Sequence, residues 1–282
     1  MASMDGKVVL VTGATSGIGL EASVKIARLG ADVVMVGRDA KKTEAAVGEV
    51  KARSGSTKVR SLLCDFSSQQ QIRRLADEVK KLLPRLDVLV NNAGTVSDAR
   101  RVTEDGIELT FAVDHLGYFL LTSLLLDLLQ KSAPSRIVNV ASVAHRQGTM
   151  DFADLGFAKG YQIMRAYARA KLANVLFTRE LAKRLDGKGV TVNCLHPGAV
   201  ATNIWSGAPW WAKPVLSVAK LFMVTPEKGG DRIVWLATSP DVEGRTGGYY
   251  ERDALVRPSR LASDDAVASR LWEESRKLVK LA

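Results

Sequence analysis

Short apolar runs alternate with helical stretches along almost the whole chain of 282 residues. The runs are rich in valine, as at Lys7–Thr12, Asp32–Val36 and Leu86–Val90, and each leads into a segment with helical periodicity. Strands that are apolar throughout are buried on both faces, as in parallel sheets that helices cover from both sides. With short right-handed crossovers, the pattern predicts a doubly wound α/β fold of the Rossmann type around a mostly seven-stranded parallel sheet.

The predicted elements form a single domain that spans residues 1–282. The predicted strands are Lys7–Thr12, Asp32–Val36, Val59–Cys64, Leu86–Val90, Arg136–Ala141, Val190–Leu195 and Gly247–Tyr250, and the helices are Gly17–Leu29, Ala40–Arg53, Ser67–Leu83, Gly106–Gln130, Tyr161–Leu185, Glu227–Ala237 and Asp264–Leu278. Only 199–224 interrupts the alternation, and this stretch carries Trp205, Trp210 and Trp211. We interpret 199–224 as an insertion that forms a lid over a substrate, and 251–282 as a C-terminal tail.

The composition excludes several classes of protein. Hydrophobic residues make up 46% and charged residues 25% of the chain, which is typical of a globular domain rather than a disordered one. The only two cysteines, Cys64 and Cys194, lack the spacing of a zinc site or a disulfide framework. We expect both to be buried free thiols, which fits a reducing compartment. The three histidines have no metal-ligand spacing, so no metal site is expected.

The net charge of +10 comes from basic residues that are spread along the helices. They form no basic patch with interleaved aromatic residues, so we interpret them as solvated surface charge rather than a nucleic-acid site. We expect no stretch to approach the roughly 20 apolar residues that span a bilayer. The N-terminal residues show no signal-peptide pattern. We therefore expect a soluble, cytoplasmic protein without a transmembrane segment.

A glycine-rich turn follows the first predicted strand. Gly13, Gly17 and Gly19 have the spacing G-x-x-x-G-x-G, and glycine lets the backbone approach a pyrophosphate closely. The helix that follows offers free N–H groups and a partial positive charge to that phosphate. At the first strand-to-helix junction of a doubly wound fold, this turn favours dinucleotide binding. The predicted contacts are Gly13, Thr15, Ser16, Gly17, Ile18 and Gly19.

The end of the second strand bears on which dinucleotide is bound. Gly37 stands where an acidic residue would bind a ribose 2′-hydroxyl, and Arg38 follows it. A guanidinium suits a 2′-phosphate by charge and by its fork of donors, and Lys41 and Lys42 add positive potential. The pattern favours NADP(H) over NAD(H). Asp39 leaves NAD(H) open, because its carboxylate could reach the ribose.

Tyr167 and Lys171 are four residues apart in a predicted helix and therefore share one face. An ammonium beside a phenol favours the phenolate and is expected to lower the pKa of Tyr167 from about 10. Such a tyrosine can donate or accept a proton near neutral pH.

With these motifs in this order, the sequence resembles the short-chain dehydrogenases/reductases over about residues 6–250. The further matches are Asp65 after the third strand, Asn91-Asn92-Ala93-Gly94 after the fourth, Ser142 after the fifth, and Pro197-Gly198 with Thr202 after the sixth. The resemblance implies that Asp65 contacts the adenine ring. It also implies that Asn92, Ala93 and Gly94 close the fourth strand beside the cofactor, and that Pro197, Gly198 and Thr202 lie against the nicotinamide.

The resemblance also implies a mechanism. Ser142 would hold the substrate oxygen, Tyr167 would give it a proton as hydride arrives, and Lys171 would lower the pKa of Tyr167 and bind the nicotinamide ribose. The family usually has an asparagine at the position of Asp114, where its main chain holds a water of the proton relay. An aspartate keeps the acceptors but loses the amide donors. We therefore include Asp114 among the catalytic candidates, with a shifted pH optimum as the expected consequence.

Residues 115–122 and 171–174 look most like the retinol dehydrogenase-like branch, which handles lipophilic aldehydes, ketones and alcohols. The tryptophans of 199–224 suit an apolar substrate, but would serve equally to pack the lid or a subunit interface. The alternatives are an NAD-dependent alcohol dehydrogenase and a cofactor-binding regulatory protein without turnover. We expect a small carbonyl or alcohol substrate, and family habit makes a homodimer or homotetramer plausible. His115, His145 and His196 are expected to be structural, although His145 could line the substrate site.

Overall fold

One mixed sheet organises the computed structural model, which describes residues 1–199 and 224–281. The strands are β1 (Val8–Thr12), β2 (Asp32–Gly37), β3 (Val59–Leu63), β4 (Val88–Asn91), β5 (Ser135–Val140), β6 (Val190–His196), β7 (Tyr249–Glu251) and β8 (Ala254–Leu255). They are ordered β3-β2-β1-β4-β5-β6-β7-β8. The first seven pair in parallel, which confirms the predicted sheet.

Strand β8 was not predicted. It pairs antiparallel with β7 across a tight turn in which Arg252 and Asp253 both have positive φ angles, of 50° and 65°. Residues other than glycine seldom adopt this conformation, so the sequence carries no ordinary turn signal here.

Helices cover both faces of the sheet. They are α1 (Gly17–Arg28), α2 (Ala40–Ser54), α3 (Gln69–Leu82), α4 (Leu109–Lys131), α5 (Ile163–Arg184), α6 (Pro226–Thr238) and α7 (Asp265–Leu278). Within β1, Leu10 belongs to the core with α3, α4, α5 and α7, whereas Val9 and Val11 belong to the core with α1, α2 and α6. Neighbouring residues of one strand are thus buried on opposite faces, as the continuous apolar runs predicted.

Helix α4 corrects one expectation. It has 23 residues and a mean hydropathy of 1.5 in its most apolar window, so by length and composition it could cross a membrane. From the sequence, we expect no stretch of this kind. Inside the fold, 78% of that window is buried, as in the central helix of a core. The helix contains a π-helical turn at Ala112–Leu116, and such turns are frequent at functional sites.

Helix α7 packs against α5 through Trp272. The indole lies edge-on to Phe119 at 4.8 Å between ring centroids and stacks on Phe177 at 6.0 Å. The Arg184 guanidinium lies 4.4 Å from the centre of the same ring. These contacts fix the C-terminal helix on the face of the sheet that carries α4 and α5.

Candidate active site

The carboxyl end of β5 leads directly into Ser142. This residue begins a 3₁₀ turn, Val143–Gln147, and its Oγ accepts a hydrogen bond from the Ala144 N–H at 3.2 Å. The side chain is 8% exposed. Because parallel strands end at one edge of the sheet, the turns after β1, β4, β5 and β6 converge there.

Tyr167 and Lys171 extend from α5 toward the same edge. The Ser142 hydroxyl lies near enough to the Tyr167 phenol to lower the pKa of that phenol. The Lys171 ammonium lies 5.5 Å from the centre of the Tyr167 ring, one helical turn away. The structure therefore brings together the serine, tyrosine and lysine that the sequence singled out.

Asp114 pairs directly with Lys171. Its Oδ2 lies 3.0 Å from the Lys171 Nζ, and the two side chains are 0% and 3% exposed. Its Oδ1 accepts the Thr95 N–H at 2.7 Å. A Cβ on Gly94 would lie only 3.2 Å from Oδ2, so the loop after β4 rests against this carboxylate. The π-helical turn of α4 thus supplies a buried counter-ion to the lysine.

Asn174 is a site residue to which the sequence analysis gave no role. Its Nδ2 donates to the Asp114 main-chain carbonyl at 2.9 Å and to the Val140 carbonyl at 3.3 Å. Lys171 Nζ donates to the same Val140 carbonyl at 3.3 Å. The Asn174 amide therefore occupies one lone pair of the Asp114 main-chain carbonyl. The resemblance to the family assigns a water of the proton relay to the main chain at this position. The available signal was spacing, since Asn174 lies three residues after Lys171 on the same face.

The glycine-rich turn is locked to the loop after β4. Asn92 Nδ2 donates to the carbonyls of Thr12 and Gly13, at 2.8 Å and 3.0 Å. A Cβ on Gly13 would lie 2.7 Å from the Ala93 Cα, and one on Gly19 would lie 2.5 Å from Asn92 Nδ2. Only glycine fits at these two positions, which explains why the two motifs occur together.

The start of α1 offers a cradle for a phosphate. Ser16 precedes the helix without a side-chain capping bond, and no acidic residue stands in the first turn. The first N–H groups are therefore available to an anion. Gly17 has a φ of 58°, and the side chains of Thr15 and Ile18 are partly exposed beside it. The residues present fit a dinucleotide pyrophosphate.

The end of β2 excludes a side chain at Gly37. A Cβ there would lie 2.2 Å from Thr43 Oγ1 and 2.5 Å from Thr15 Cγ2. Arg38 is exposed and makes no hydrogen bond or ion pair with any residue that the structure describes. Asp39 Oδ1 accepts the Lys42 N–H at 2.9 Å and caps α2. The carboxylate that left NAD(H) open is therefore engaged in the helix cap.

Other predicted contacts lie around this edge. Asp65 follows β3 and its Oδ1 accepts the Ser67 N–H at 2.9 Å. Pro197 and Gly198 follow β6, with Gly198 at a φ of 100°. Thr202 and the tryptophans Trp205, Trp210 and Trp211 lie outside the described residues, as does almost all of the predicted lid.

Comparison with known proteins decides the family. The model of the short chain dehydrogenases matches residues 7–211. The chain belongs to the short-chain dehydrogenase family. It is 43% identical to retinol dehydrogenase 14 of Mus musculus over 98% of this chain and 86% of that protein, and 40% identical to human retinol dehydrogenase 13 over 99% and 86%. These relatives confirm the resemblance to the retinol dehydrogenase-like branch.

Solved structures agree with this assignment. An uncharacterised protein of Mycobacterium paratuberculosis matches with a TM-score of 0.82 and 31% identity, over 99% of this chain and 96% of that one. The RhlG/NADP complex of Pseudomonas aeruginosa matches with a TM-score of 0.73 and 29% identity, over 89% and 96%. This short-chain dehydrogenase therefore has the single-domain fold predicted from its sequence.

Two secondary expectations are settled by burial. His145 is fully buried, so it does not line a substrate site. Cys64 and Cys194 are buried free thiols, as predicted. Among residues 1–199 and 224–281, no group of three histidine, cysteine or acidic side chains could hold a metal ion.

The electrostatics of the site correct another expectation. Burial raises the pKa of Tyr167 above its ordinary value; the Lys171 ammonium lowers it, but the Asp114 carboxylate raises it further. Burial lowers the pKa of Lys171, but the combined attraction of Asp114, Tyr118 and Tyr167 raises it above its ordinary value. Lys171 does lower the pKa of Tyr167 as expected, but the expected net lowering is wrong, because burial of the phenol and the Asp114 carboxylate together raise it more.

Proposed function

We propose that this short-chain dehydrogenase is an NADP(H)-dependent oxidoreductase that transfers a hydride between the nicotinamide and a lipophilic carbonyl or alcohol. The observation that carries the proposal is that Ser142, Tyr167 and the buried Lys171 meet at the sheet edge that also holds the glycine-rich turn, with the Lys171 ammonium 5.5 Å from the Tyr167 ring. A cofactor-binding protein without turnover has no need of this arrangement.

Each of the three residues has a separate task. The Ser142 hydroxyl donates a hydrogen bond to the substrate oxygen and holds it next to the Tyr167 phenol. Tyr167 gives its proton to that oxygen in reduction and takes it back in oxidation. Lys171 places a fixed positive charge beside the phenolate that is left behind. When bound, the nicotinamide supplies or accepts the hydride.

Asp114 sets the pH at which Tyr167 exchanges its proton. In Asp114→Asn the negative charge is lost while the shape is kept, so the pKa of Tyr167 falls. Oxidation needs the phenolate and rises with pH through this pKa, whereas reduction needs the phenol and falls through it. In pH profiles of kcat/KM, the rise of the oxidation rate and the fall of the reduction rate should therefore both occur at lower pH in the variant than in the wild type. Superimposable profiles, or a shift to higher pH, would remove Asp114 from this role.

Three observations support NADP(H) as the cofactor. A carboxylate has no room at Gly37, Asp39 is occupied as a helix cap, and Arg38 is exposed without a partner among the described residues. A ribose 2′-phosphate would give this guanidinium the bidentate partner that it lacks. Two structural neighbours carry NADP or NADPH in their complexes.

Arg38→Met tests the cofactor preference. A hydrogen-bonded charge contributes about 1.5–3 kcal/mol, so Kd for NADPH should rise roughly 10- to 100-fold while Kd for NADH changes less than about twofold. Lys81→Met, an exposed charge on the far end of α3, is the control for a general loss of positive potential. Equal weakening of both cofactors, or no effect on either, would refute a 2′-phosphate contact at Arg38.

Apolar side chains support a lipophilic substrate. Val143 follows Ser142 and is 43% exposed, and Met164 lies one helical turn before Tyr167 and is 48% exposed. Exposed apolar groups beside polar catalytic groups are typical of sites that bind apolar ligands. The relatives named retinol dehydrogenase make retinaldehyde a suitable member of this substrate class.

A screen of carbonyl compounds tests the activity itself. NADPH consumption is measured with short and long aliphatic aldehydes, retinaldehyde, ketones and quinones. We expect kcat/KM to rise with apolar chain length, and Tyr167→Phe to abolish turnover without weakening NADPH binding more than about tenfold, or 1.4 kcal/mol. Undiminished turnover in Tyr167→Phe would refute the mechanism. NADPH binding without turnover across the panel would favour the regulatory alternative.

A further inference from the structure

Two buried histidines lie beside two residues of the proposed site, and both contact the end of the chain. His145 is three residues after Ser142, and His115 directly follows Asp114. Each is 0% exposed. Their partners belong to residues 256–281, called here the C-terminal segment, which includes α7.

His145 joins the Ser142 turn to the C-terminal segment. Its Nδ1 lies 2.7 Å from the Ser142 carbonyl oxygen, and its Nε2 lies 3.2 Å from the Ser259 backbone nitrogen. A backbone N–H can only donate, so Nε2 accepts from Ser259 and the protonated Nδ1 donates a hydrogen bond to the Ser142 carbonyl. The ring also packs edge-on against Tyr249 at 4.7 Å. The His145 ring therefore has a single tautomer and joins two backbone segments, one at Ser142 and one at Ser259.

A second contact secures the same turn. Arg146 donates from one guanidinium nitrogen to the Arg257 carbonyl and to Glu251, both at 3.2 Å. His145 and Arg146 therefore bind the C-terminal segment at two backbone positions. These positions, Ser259 and Arg257, are two residues apart. The direction of the Ser142 side chain depends on this turn, because Ser142 is the residue that caps it.

His115 makes the equivalent contact on the other side of the site. Its Nε2 lies 2.9 Å from the Ser275 Oγ, and Ser275 is fully buried in α7. The ring lies among aromatic neighbours, 5.0 Å from Phe111 and 6.2 Å from Phe177. Since His115 and Asp114 occupy the same π-helical turn, the docking of α7 bears directly on the carboxylate that faces Lys171.

We propose that the C-terminal segment is a positioning element of the active site, with His145 holding the Ser142 turn and His115 holding the Asp114 turn. The inference rests on the proposed function, in which Ser142 and Asp114 take part in proton transfer. The family model ends at residue 211, so this segment lies beyond the region that defines the family. Displacing a catalytic group by about 1 Å can cost about 100-fold in rate, so small shifts of these turns matter.

His145→Asn tests the first contact. Asparagine places an amide near the position of Nδ1 and keeps a donor for the Ser142 carbonyl, but it does not reach Ser259. We expect kcat for the best aldehyde of the panel to fall about tenfold, with Kd for NADPH unchanged within about twofold. In a Ser142→Ala background the same change should have no further effect on the residual kcat, because His145 acts through Ser142.

Val50→Ala is the control for lost stability. Val50 is fully buried in the core on the opposite face, and its truncation lowers the melting temperature without changing kcat at temperatures where the protein is folded. A merely structural His145 would behave like Val50. Its substitution would lower the melting temperature. It would either leave kcat unchanged or reduce kcat equally in the wild-type and Ser142→Ala backgrounds.

Ser275→Ala tests the second contact. Loss of the Oγ frees the His115 ring, and the looser Asp114 turn should move the pH–rate profile in the direction of Asp114→Asn, by a smaller amount. An unchanged profile overturns the contact through His115. If Ser142→Ala retains full turnover, the proposed function itself fails. If Ser142→Ala loses turnover while His145→Asn keeps wild-type kcat, only the positioning inference fails.

Discussion

The buried ion pair between Lys171 and Asp114 is the interaction on which the rest of the site depends. An ammonium inside the fold is costly unless a charge and hydrogen bonds satisfy it, and removing one partner of such a pair typically costs about 3–5 kcal/mol. Here Asp114 stands 3.0 Å away and the Val140 carbonyl accepts a further hydrogen bond. The lysine is thereby kept charged beside Tyr167, but part of its influence on the phenol is cancelled.

The fold builds this pair from parts that are distant in sequence. Asp114 comes from the π-helical turn of α4, Lys171 from α5, and Thr95, whose N–H binds the carboxylate, from the loop after β4. Asn174 joins α5 to the Asp114 carbonyl. The parallel sheet brings the loops together at its carboxyl edge, and the C-terminal segment secures the outer turns. In the proposed mechanism, proton transfer at Tyr167 is therefore coupled to packing across one whole face of the sheet.

Much of this was available from the sequence. Apolar strands and capped helices predicted the sheet. The spacing placed Tyr167 and Lys171 on one helix face, and the resemblance to the short-chain dehydrogenases singled out Ser142 and gave the pair its role. The role of Asn174 and the contacts of His145 and His115 were not predictable, since their partners are far along the chain and reach them only through tertiary packing. The pKa of Tyr167 is raised mainly because the phenol is buried. The four-residue spacing between Tyr167 and Lys171 carries no information about burial. Helix α4 shows the same limit, because composition alone does not separate a core helix from a membrane span.

The central claim is that a hydride passes to a carbonyl carbon while Tyr167 supplies the proton. The most direct measurement follows deuterium from NADPH that carries two deuterium atoms at nicotinamide C4 into the alcohol formed from an apolar aldehyde, by mass spectrometry and NMR. The account predicts one deuterium on the carbinol carbon and a solvent-derived proton on the oxygen. An alcohol without deuterium on that carbon would contradict it.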